Sequence, residues 1–576
     1  VWDEWVLDVE RKCWYFGFLV AILDAQTNVR LGVNEMTKAA TPSFVLTVDM
    51  NINTHSQMLI ERDLEVCRVL YNACLSELLK RERQMKRTKS YQKIKRCLRV
   101  VSQKLSYSIE KKNENKSKHY QEQKENLLNA LFALQQTFEL TEYGMHEYII
   151  PMRKHFGNTL NSAIAQKMAT RAWNTFYKKL NGKAKRVQFV KRNEMRSFEG
   201  KANTSGWRYR NRTIVNGKTI ISLRIKEQDM YLQEALSMIE NEAFFSYTTK
   251  QGGVKQAVTK VKYVRIVKRL IRGKIRYVAQ LTVQGSPPPK RNRDGSFKYS
   301  IGKGRVGGDL GVSSVAIVGE NDVLLCTLAK EVKNVSRDIR LLQRKMDRSK
   351  RASNPTNYCE DGTIKKGKKT WTFSRRYQLL RSQVRELHRK QAAIRKNSHQ
   401  RLANQLLSFG DEHYWEDMHI QGLQKRAKKT EKSEKTGTFK RKKRFGKSIG
   451  HRAPALFLTI LEQKIRAQGG TFQKVNTWTF KASQYDHNSN DYQKKELKNR
   501  WHVFEDGTRV QRDLYSAFLL KNSNKTRTKP QRKRCLETFD RFKHLHHEHV
   551  SMLEGQEQMV LNSGICVKEK NATVVA

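Results

Sequence analysis

The sequence predicts a multidomain α+β protein, and three observations support this prediction. The chain has 576 residues, more than a single hydrophobic core usually serves. Apolar residues recur at helical spacing through much of 56–185, whereas short alternating runs of apolar and polar residues predominate in 186–285. After a segment rich in proline, glycine and charge at 285–304, strands and long helices follow one another, which is typical of a second, α/β domain.

The first half combines a strand, a helical segment and a hairpin. Phe44, Leu46 and Val48 alternate with small or polar residues, which predicts a strand. A helix is predicted next, because apolar residues then recur at spacings of three and four. These residues are Leu64, Cys67, Tyr71, Cys74 and Leu78. The segments VKYVRIVKRL and KIRYVAQLTV flank Arg272 and Gly273, which predicts a β-hairpin whose alternating basic residues suit either a phosphate backbone or an ordinary solvated face.

The second half is predicted to open with two or three strands at 305–329, followed by two long helices. The segment HYWED at 413–417 predicts a further, buried strand. The segment 425–447 is rich in lysine and arginine, which predicts either a solvated surface loop or a lid that orders over bound nucleic acid. For 524–576, basic and then mixed in composition, we predict a poorly ordered tail.

The net charge indicates a polyanionic partner. Lys and Arg total 113 and Asp and Glu total 55, so the formal net charge is 113 − 55 = +58, with a pI near 10.1. A surface of this charge repels itself unless a polyanion neutralises it. Because a heteroduplex of roughly 20 base pairs carries about 40 negative charges, the excess suits a long or folded nucleic acid. A ribosomal or chromatin-like protein is the alternative that composition alone allows.

The cysteines and the N-terminus bear on the compartment. None of the eight cysteines forms a CxxC pair, which excludes zinc-ribbon spacing and favours reduced, cytoplasmic thiols. The apolar run at 13–23 is too short to span a bilayer and follows acidic residues. We interpret 1–40 as a possible upstream extension, with Met36 as the candidate start, and expect no membrane segment.

Three acidic residues occupy positions that predict a metal site. Asp309 ends one apolar strand, Glu416 ends another, and Asp513 lies in the first turn of a predicted helix. Side chains placed in this way can converge at one end of a mixed sheet, where mutual repulsion is relieved by hard cations such as Mg²⁺. Two such ions can activate water and stabilise the leaving oxygen of a phosphodiester. A single aspartate at a strand end is usually a turn former, so the prediction depends on the three together.

The segments around these acids resemble a known family. GGDLGVSSVAIV at 307–318, YWEDMHIQGL at 414–423 and TRVQRDLYSAFLL at 508–520 resemble the three RuvC motifs of the transposon-encoded TnpB nucleases, and of the compact type V CRISPR effectors derived from them. The likeness extends from about Phe44 to Leu520 and includes FGKSIGHRAPALF at 445–457.

The resemblance implies a wedge-type β-barrel with an inserted helical recognition domain, followed by an RNase H-like (RuvC) α/β nuclease domain. The implied divisions are 41–55 and 186–304 for the barrel and linker, 56–185 for the recognition domain, 305–475 and 509–523 for the nuclease domain, and 476–508 for a target-loading insert. The implied catalytic and metal-binding residues are Asp309, Glu416 and Asp513, with two Mg²⁺ ions or Mn²⁺ in their place. The implied partners are a guide and scaffold RNA and a double-stranded DNA target that carries a short motif beside the paired region, with one monomer per RNA favoured. The implied location is a prokaryotic cytoplasm, at the nucleoid when bound.

The insert departs from the family pattern, which usually includes a zinc finger with two cysteine pairs. The segment 483–513 has no cysteine, although His487 and His502 remain. These histidines could ligate zinc together with acids, but we expect no structural zinc and a metal-free fold held by Trp501 and Phe504.

Several residues are candidates for nucleic-acid contacts, although an aromatic residue of this kind more often packs in a core and a basic residue of the hairpin is as often simply solvated. Basic side chains would bind phosphates, and an aromatic ring near a basic cluster would stack on a base. The candidates are Tyr71, Lys167, Arg171, Arg272, Lys425 and Arg426. Three functions stay open: an RNA-guided DNA endonuclease, an RNA-guided DNA-binding protein that acts as a repressor with little cleavage, and a DNA-structure nuclease or transposase that needs no RNA.

Overall fold

The computed structural model describes residues 41–565 except 112, 249–252, 293, 368, 426–429, 434–436, 440–444, 495, 497–498, 557–559 and 562. The predicted extension at 1–40 therefore lies outside the described residues, as do Arg426 and part of the basic segment 425–447. The chain divides into two compact units, Val1–Pro287 and Pro288–Ala576, and the division falls within the segment that the sequence marks as a linker.

The first unit contains an antiparallel half-barrel of seven strands in the order β2-β8-β9-β1-β5-β4-β3. Its strands are β1 (Ser43–Met50), β2 (Ser197–Glu199), β3 (Arg208–Arg210), β4 (Thr213–Asn216), β5 (Thr219–Arg224), β8 (Lys260–Ile271) and β9 (Lys274–Gln284). A separate pair consists of β6 (Phe244–Thr248) and β7 (Val254–Val258). The predicted hairpin is β8–β9, and positive φ angles of 49° at Arg272 and 77° at Gly273 give it the tight turn that twisted strands favour.

Six helices accompany this sheet in the described part of the first unit. They are α1 (Thr54–Arg87), α2 (Lys89–Glu110), α3 (Glu114–Thr137), α4 (Glu142–His155), α5 (Ser162–Leu180) and α6 (Met230–Glu240). The apolar stripe predicted from Leu64 to Leu78 is buried in the core of the unit, as its helical spacing requires. None of the described helices, in either unit, has an apolar stretch long enough to cross a bilayer.

The second unit is built on a mixed sheet of five strands in the order β12-β11-β10-β13-β14. Its strands are β10 (Arg305–Leu310), β11 (Ser314–Val318), β12 (Val323–Thr327), β13 (Glu412–Glu416) and β14 (Thr471–Val475). The first three are antiparallel neighbours, whereas β13 lies parallel to β10, and β14 lies parallel to β13. The carboxyl ends of β10, β13 and β14 therefore meet at one edge.

Helices cover this sheet. They are α7 (Ser336–Ala352), α8 (Arg375–Gln405), α9 (Ile420–Leu423), α10 (Gly446–Arg452), α11 (Pro454–Ala467), α12 (Thr477–Phe480), α13 (Arg512–Lys521) and α14 (Arg532–Gly555). Trp415, Phe457 and Phe472 belong to one buried core, and Phe518 and Phe542 belong to another. The α7 and α8 helices correspond to the two long helices that the sequence predicts after the first strands.

The predicted disorder of the tail is wrong for Arg532–Gly555, which forms the long helix α14. Cys535, Phe542, Val550 and Leu553 are buried in the same core as Phe518. The sequence obscured this helix because buried histidines occupy part of its inner face, where apolar residues would have revealed the periodicity.

The insert between the second and third acids forms two short hairpins. These are β15 (Tyr485–Asp486) with β16 (Asp491–Tyr492), and β17 (Trp501–Val503) with β18 (Arg509–Gln511). His487 Nδ1 lies 2.7 Å from the hydroxyl of Tyr515, and the ring of His502 stacks on Tyr515 with centroids 4.5 Å apart. Phe504 is buried beside them, whereas Trp501 is half-buried. Aromatic packing on Tyr515 of α13 therefore holds this insert, and Trp501 packs at the margin of the same core.

Candidate active site

Asp309 and Glu416 are neighbours on adjacent strands. The parallel register pairs Gly308 of β10 with Trp415 of β13, so the next residues along the two strands are Asp309 and Glu416. Residues in register on parallel strands project from the same face of the sheet. The two carboxylates therefore share one face at the carboxyl edge of the sheet, opposite to the face that buries Trp415.

Helix α13 brings Asp513 to the same place. The guanidinium of Arg305, at the start of β10, donates a hydrogen bond of 3.0 Å to the carbonyl oxygen of Ser523, just beyond the end of α13. The helix therefore runs antiparallel to β10, and its first turn lies at the end of the strand that carries Asp309. Consistent with this placement, the charge of Asp513 acts on the pKa of Asp309.

Two adjacent glycines allow this arrangement. A methyl group on Gly307 would overlap the carbonyl oxygen of Ala517, so α13 packs directly on the backbone of β10. A methyl group on Gly308 would lie 2.6 Å from the ring of Trp415 on the other face. Any side chain at Gly307 would push the helix away from the strand, and any side chain at Gly308 would displace the ring of Trp415. The glycine pair before Asp309 is the sequence signal for this close packing, and sequence reasoning did not use it.

The electrostatics of the three acids are unbalanced. Burial raises the pKa of Asp309 well above its usual range, and the negative charges of Glu416 and Asp513 raise it further. The positive charge of Arg512 opposes this rise. Burial also raises the pKa of Glu416. Arg512 Nη2 lies 3.3 Å from Asp513 Oδ1, so one cation offsets part of the charge of three carboxylates. Such a cluster gains free energy from an added cation.

The acids fit a hard divalent cation in their chemistry, although their present spacing is wider than that of metal ligands. Carboxylate oxygens are the ligands that Mg²⁺ prefers, and these three repel one another in a partly enclosed site. Among the residues that the structure describes, no three His, Cys, Asp or Glu side chains are grouped closely enough to enclose a metal ion. The carboxylates thus lie within electrostatic range of one another, and an ion would have to draw them together.

A buried glutamine fixes the start of α13. The side-chain oxygen of Gln511 accepts a hydrogen bond of 2.8 Å from the N–H of Leu514 and so caps the helix. Its amide group donates to the carbonyl oxygen of Ser563 at 3.0 Å. Its backbone N–H donates to Nε2 of His546 on α14 at 2.8 Å. Residues from the tail therefore position Asp513, and no motif in the sequence indicated their role.

The candidate nucleic-acid contacts fall into different environments. Tyr71 is only 6% exposed and its hydroxyl donates to Thr175, so the prediction that this ring stacks on a base is wrong. The ammonium group of Lys167 lies 5.6 Å from the ring centroid of Tyr263, and Arg171 donates to the carbonyl oxygen of Ser197 at 3.0 Å. Arg272 and Lys425 are exposed. For the four basic candidates in the described residues, phosphate binding stays a prediction.

The fold and these acids define a mixed α/β protein of two units with a carboxylate cluster at a sheet edge. A comparison with solved structures finds the cryo-EM structure of a Cas12f1–sgRNA–target DNA complex, with a TM-score of 0.33 and 12% sequence identity. The match covers 84% of this chain and 99% of that chain. A likeness of this size carries no argument about function, which therefore depends on the residues themselves. No family model and no curated protein matches the chain.

Proposed function

We propose that this chain is an RNA-guided DNA endonuclease that hydrolyses phosphodiester bonds with divalent cations held by Asp309, Glu416 and Asp513. The observation that carries the proposal is the convergence of these acids at one sheet edge with most of their charge unbalanced. A structural role does not explain it, because carboxylates that repel one another in a partly enclosed site destabilise a fold that lacks a cation.

The topology of the second unit supports a nuclease of the RNase H-like, RuvC type. If the strands are numbered in chain order from β10, their order in the sheet is 3-2-1-4-5. The second strand, β11, is antiparallel to β10, whereas β13 is parallel to β10. Acids on the first strand, on the fourth strand and on a later helix that packs on the first strand fit this type of site. The resemblance of the three segments around these acids to RuvC motifs points in the same direction.

The residues of the chain would divide the work as follows. The charges of both Glu416 and Asp513 raise the pKa of Asp309, so Asp309 would be the central ligand for divalent ions, and Glu416 and Asp513 would supply the further carboxylates. Bound divalent ions supply an activated water and charge stabilisation at the scissile phosphate. The helix cap at Gln511 and the glycine pair hold the carboxylates in place, and Arg512 limits their repulsion before the ions bind.

The guide RNA and the DNA target follow from the charge and the resemblance. A net charge of +58 would be neutralised by a folded RNA and its heteroduplex. Base pairing would then select the target, while the protein would contact the backbone and a short adjacent motif.

The test is cleavage by the purified protein with the RNA that copurifies with it. That RNA is sequenced, and a DNA duplex that matches its guide portion is incubated with the complex in Mg²⁺ and in EDTA. We expect cutting in Mg²⁺ alone, and a loss of at least about a hundredfold in Asp309→Ala, Glu416→Gln and Asp513→Asn. Asp322→Asn, which replaces an exposed acid in the turn after β11, is the matched control and should cut normally.

Two results would overturn the proposal in different ways. Cutting that persists in Asp309→Ala would exclude this site. Tight guided binding without any product would select the repressor-like binding protein, for which the loss of cysteines in the insert is the favouring observation. Cutting of branched DNA after removal of all RNA would select a nuclease that needs no guide.

A further inference from the structure

Trp478 is a tryptophan with its side chain largely in water, on the segment that follows strand β14. Its side chain is 80% exposed on the short helix α12, which begins two residues after strand β14. Burial of a large apolar side chain stabilises a fold by on the order of 2 kcal/mol. The exposed indole of Trp478 does not contribute this stabilisation. The fold therefore retains a large aromatic surface in water at a particular place.

That place is the carboxyl edge of the sheet where the acids meet. Val475, the last residue of β14, is in register with Glu416 on β13. Asp417 reinforces this pairing, because its backbone N–H donates to the carbonyl oxygen of Val475 at 2.8 Å. Only two residues, Asn476 and Thr477, lie between Val475 and Trp478, which limits the distance between the Cα atoms of Val475 and Trp478 to about 10 Å.

The backbone of Trp478 is held firmly although the ring is free. The side-chain oxygen of Asn476 accepts a hydrogen bond of 2.8 Å from the N–H of Trp478. The hydroxyl of Thr477 donates to the carbonyl oxygen of Asp417 at 3.3 Å. Phe480 is 1% exposed and belongs to the core that contains α13. The ring is thus presented from a fixed backbone, which lowers the entropy that a bound group would cost.

The surroundings favour a nucleic acid as the occupant. Lys481 directly follows α12 and is exposed. Lys474 is in register with Trp415, so it projects from the face opposite to Glu416, and its ammonium lies 3.8 Å from Asp417. A single exposed aromatic plane followed by a lysine, in a chain with a net charge of +58, suits a nucleobase with its phosphate. A protein partner would instead require a wider apolar patch.

We propose that Trp478 is a stacking platform for an unpaired nucleobase of the substrate DNA strand, next to the phosphate that the three acids address. This inference rests on the proposed function, because the acids define where the strand lies. Stacking on one ring would fix the register of a flexible strand, so it would affect which bond is cut as well as how tightly the strand binds.

The test separates binding from cleavage. The full chain with its RNA carries Asp309→Ala, so that the DNA stays intact, and is mixed with single-stranded targets that contain 2-aminopurine at successive positions. We expect quenching of 2-aminopurine at one or two positions, lost in Trp478→Ala together with about a tenfold or larger loss of affinity. Trp478→Phe should retain most of both signals. Phe297→Ala removes another exposed ring of the same unit, 56% exposed, and should leave them unchanged.

The outcomes are distinguishable from failure of the proposed function. If the Trp478→Ala variant quenches 2-aminopurine and binds the DNA as the parent protein does, the stacking inference is wrong, whether or not the wild-type chain cuts DNA. If wild-type protein cuts nothing while the quenching depends on Trp478, the platform stands and the nuclease proposal fails. If Trp478→Ala changes the sedimentation of the protein and not its DNA binding, the ring serves a protein contact and the inference is overturned.

Discussion

The imidazole of His546 accepts a hydrogen bond of 2.8 Å from the backbone N–H of Gln511, two residues before Asp513. The two residues are 35 apart in sequence, and the bond links the helix α14 to the start of the helix α13. His546 must be neutral for this bond, because Nε2 needs a free lone pair. The position of the third acid therefore depends on a histidine that takes no part in chemistry.

Loss of this hydrogen bond should lower both stability and activity. In His546→Ala, the buried N–H of Gln511 would lose its partner, at a cost of about 1–3 kcal/mol in the free energy of unfolding. Urea denaturation measures the stability, and cleavage of a matched target measures the activity. The neighbouring His547 is exposed, so His547→Ala is the control and should change neither quantity. Equal effects of the two substitutions would contradict the assigned role.

The second unit should lose stability in mild acid. Burial first, and then the neighbouring His547 and His549, lower the pKa of His546 from 6.5 to about 4. Its stabilising contribution is complete above pH 6.5 and decreases as the pH falls towards 4, because the unfolded chain takes up the proton first. At pH 5, protonation of His546 in the unfolded chain alone should have lowered the free energy of unfolding by about 2 kcal/mol. In His546→Gln, the amide oxygen can still accept the bond but does not titrate. The difference between the urea midpoints at pH 7.5 and at pH 5 should therefore be smaller in this variant than in the wild type.

Gly307→Ala should disrupt the contact between α13 and β10. The added methyl group would overlap the carbonyl oxygen of Ala517, and backbone must move to make room. We expect a destabilisation of about 1–3 kcal/mol and a loss of cleavage larger than the loss of folded protein explains, since Asp513 moves with the helix. Gly450→Ala is the control, because a methyl group there meets open space within the helix α10 and should be neutral or slightly stabilising.

Asp309→Asn should raise the stability of the metal-free protein while it abolishes cutting. The pKa of Asp309 is raised by burial, then by Glu416 and Asp513, so its ionised form destabilises the fold at neutral pH. An amide removes that charge. Thermal unfolding in EDTA should therefore occur at a higher temperature in the variant, and added Mg²⁺ should stabilise the wild type more than the variant. A variant less stable than wild type in EDTA would show that the carboxylates do not repel as described.

Phe542→Ala should destabilise the second unit by about 3–5 kcal/mol, because its ring is buried in α14 and stacks on Phe518 with centroids 4.6 Å apart. Leu536 lies on the same helix and is 49% exposed, so Leu536→Ala is the control and should cost much less. Calorimetric unfolding compares the two. A helix that contributed nothing to the fold would give similar, small effects for both.

The parts of the site that the sequence predicted are those with a local signal. Asp309 is the penultimate residue of β10 and Glu416 is the last residue of β13, and the register of those strands follows from the buried residues that precede them. The hairpin at Arg272 was predictable from its turn and its alternating residues. The apolar stripe of α1 was visible because its spacing repeats without interruption.

The parts that the sequence did not predict depend on contacts between distant segments. The inner face of α14 includes His546 and His549, which are polar residues that the structure buries. The spacing of apolar residues alone therefore could not predict this helix. Tyr71 lies near basic residues in sequence, yet its position on the apolar stripe places it in the core. Trp478 is exposed because its neighbours Asn476, Thr477 and Phe480 fix the backbone through hydrogen bonds and core packing. The composition of the segment does not predict these contacts.

The cap of α13 also has a consequence for biosynthesis. Asp309 and Glu416 leave the ribosome early, but Gln511 acquires its bonds to His546 and Ser563 only after those residues have emerged. A nascent or truncated polypeptide that ends near 523 would contain all three acids without the brace that orients the last of them. The order of translation therefore delays completion of the acidic cluster until the residues through Ser563 have been made.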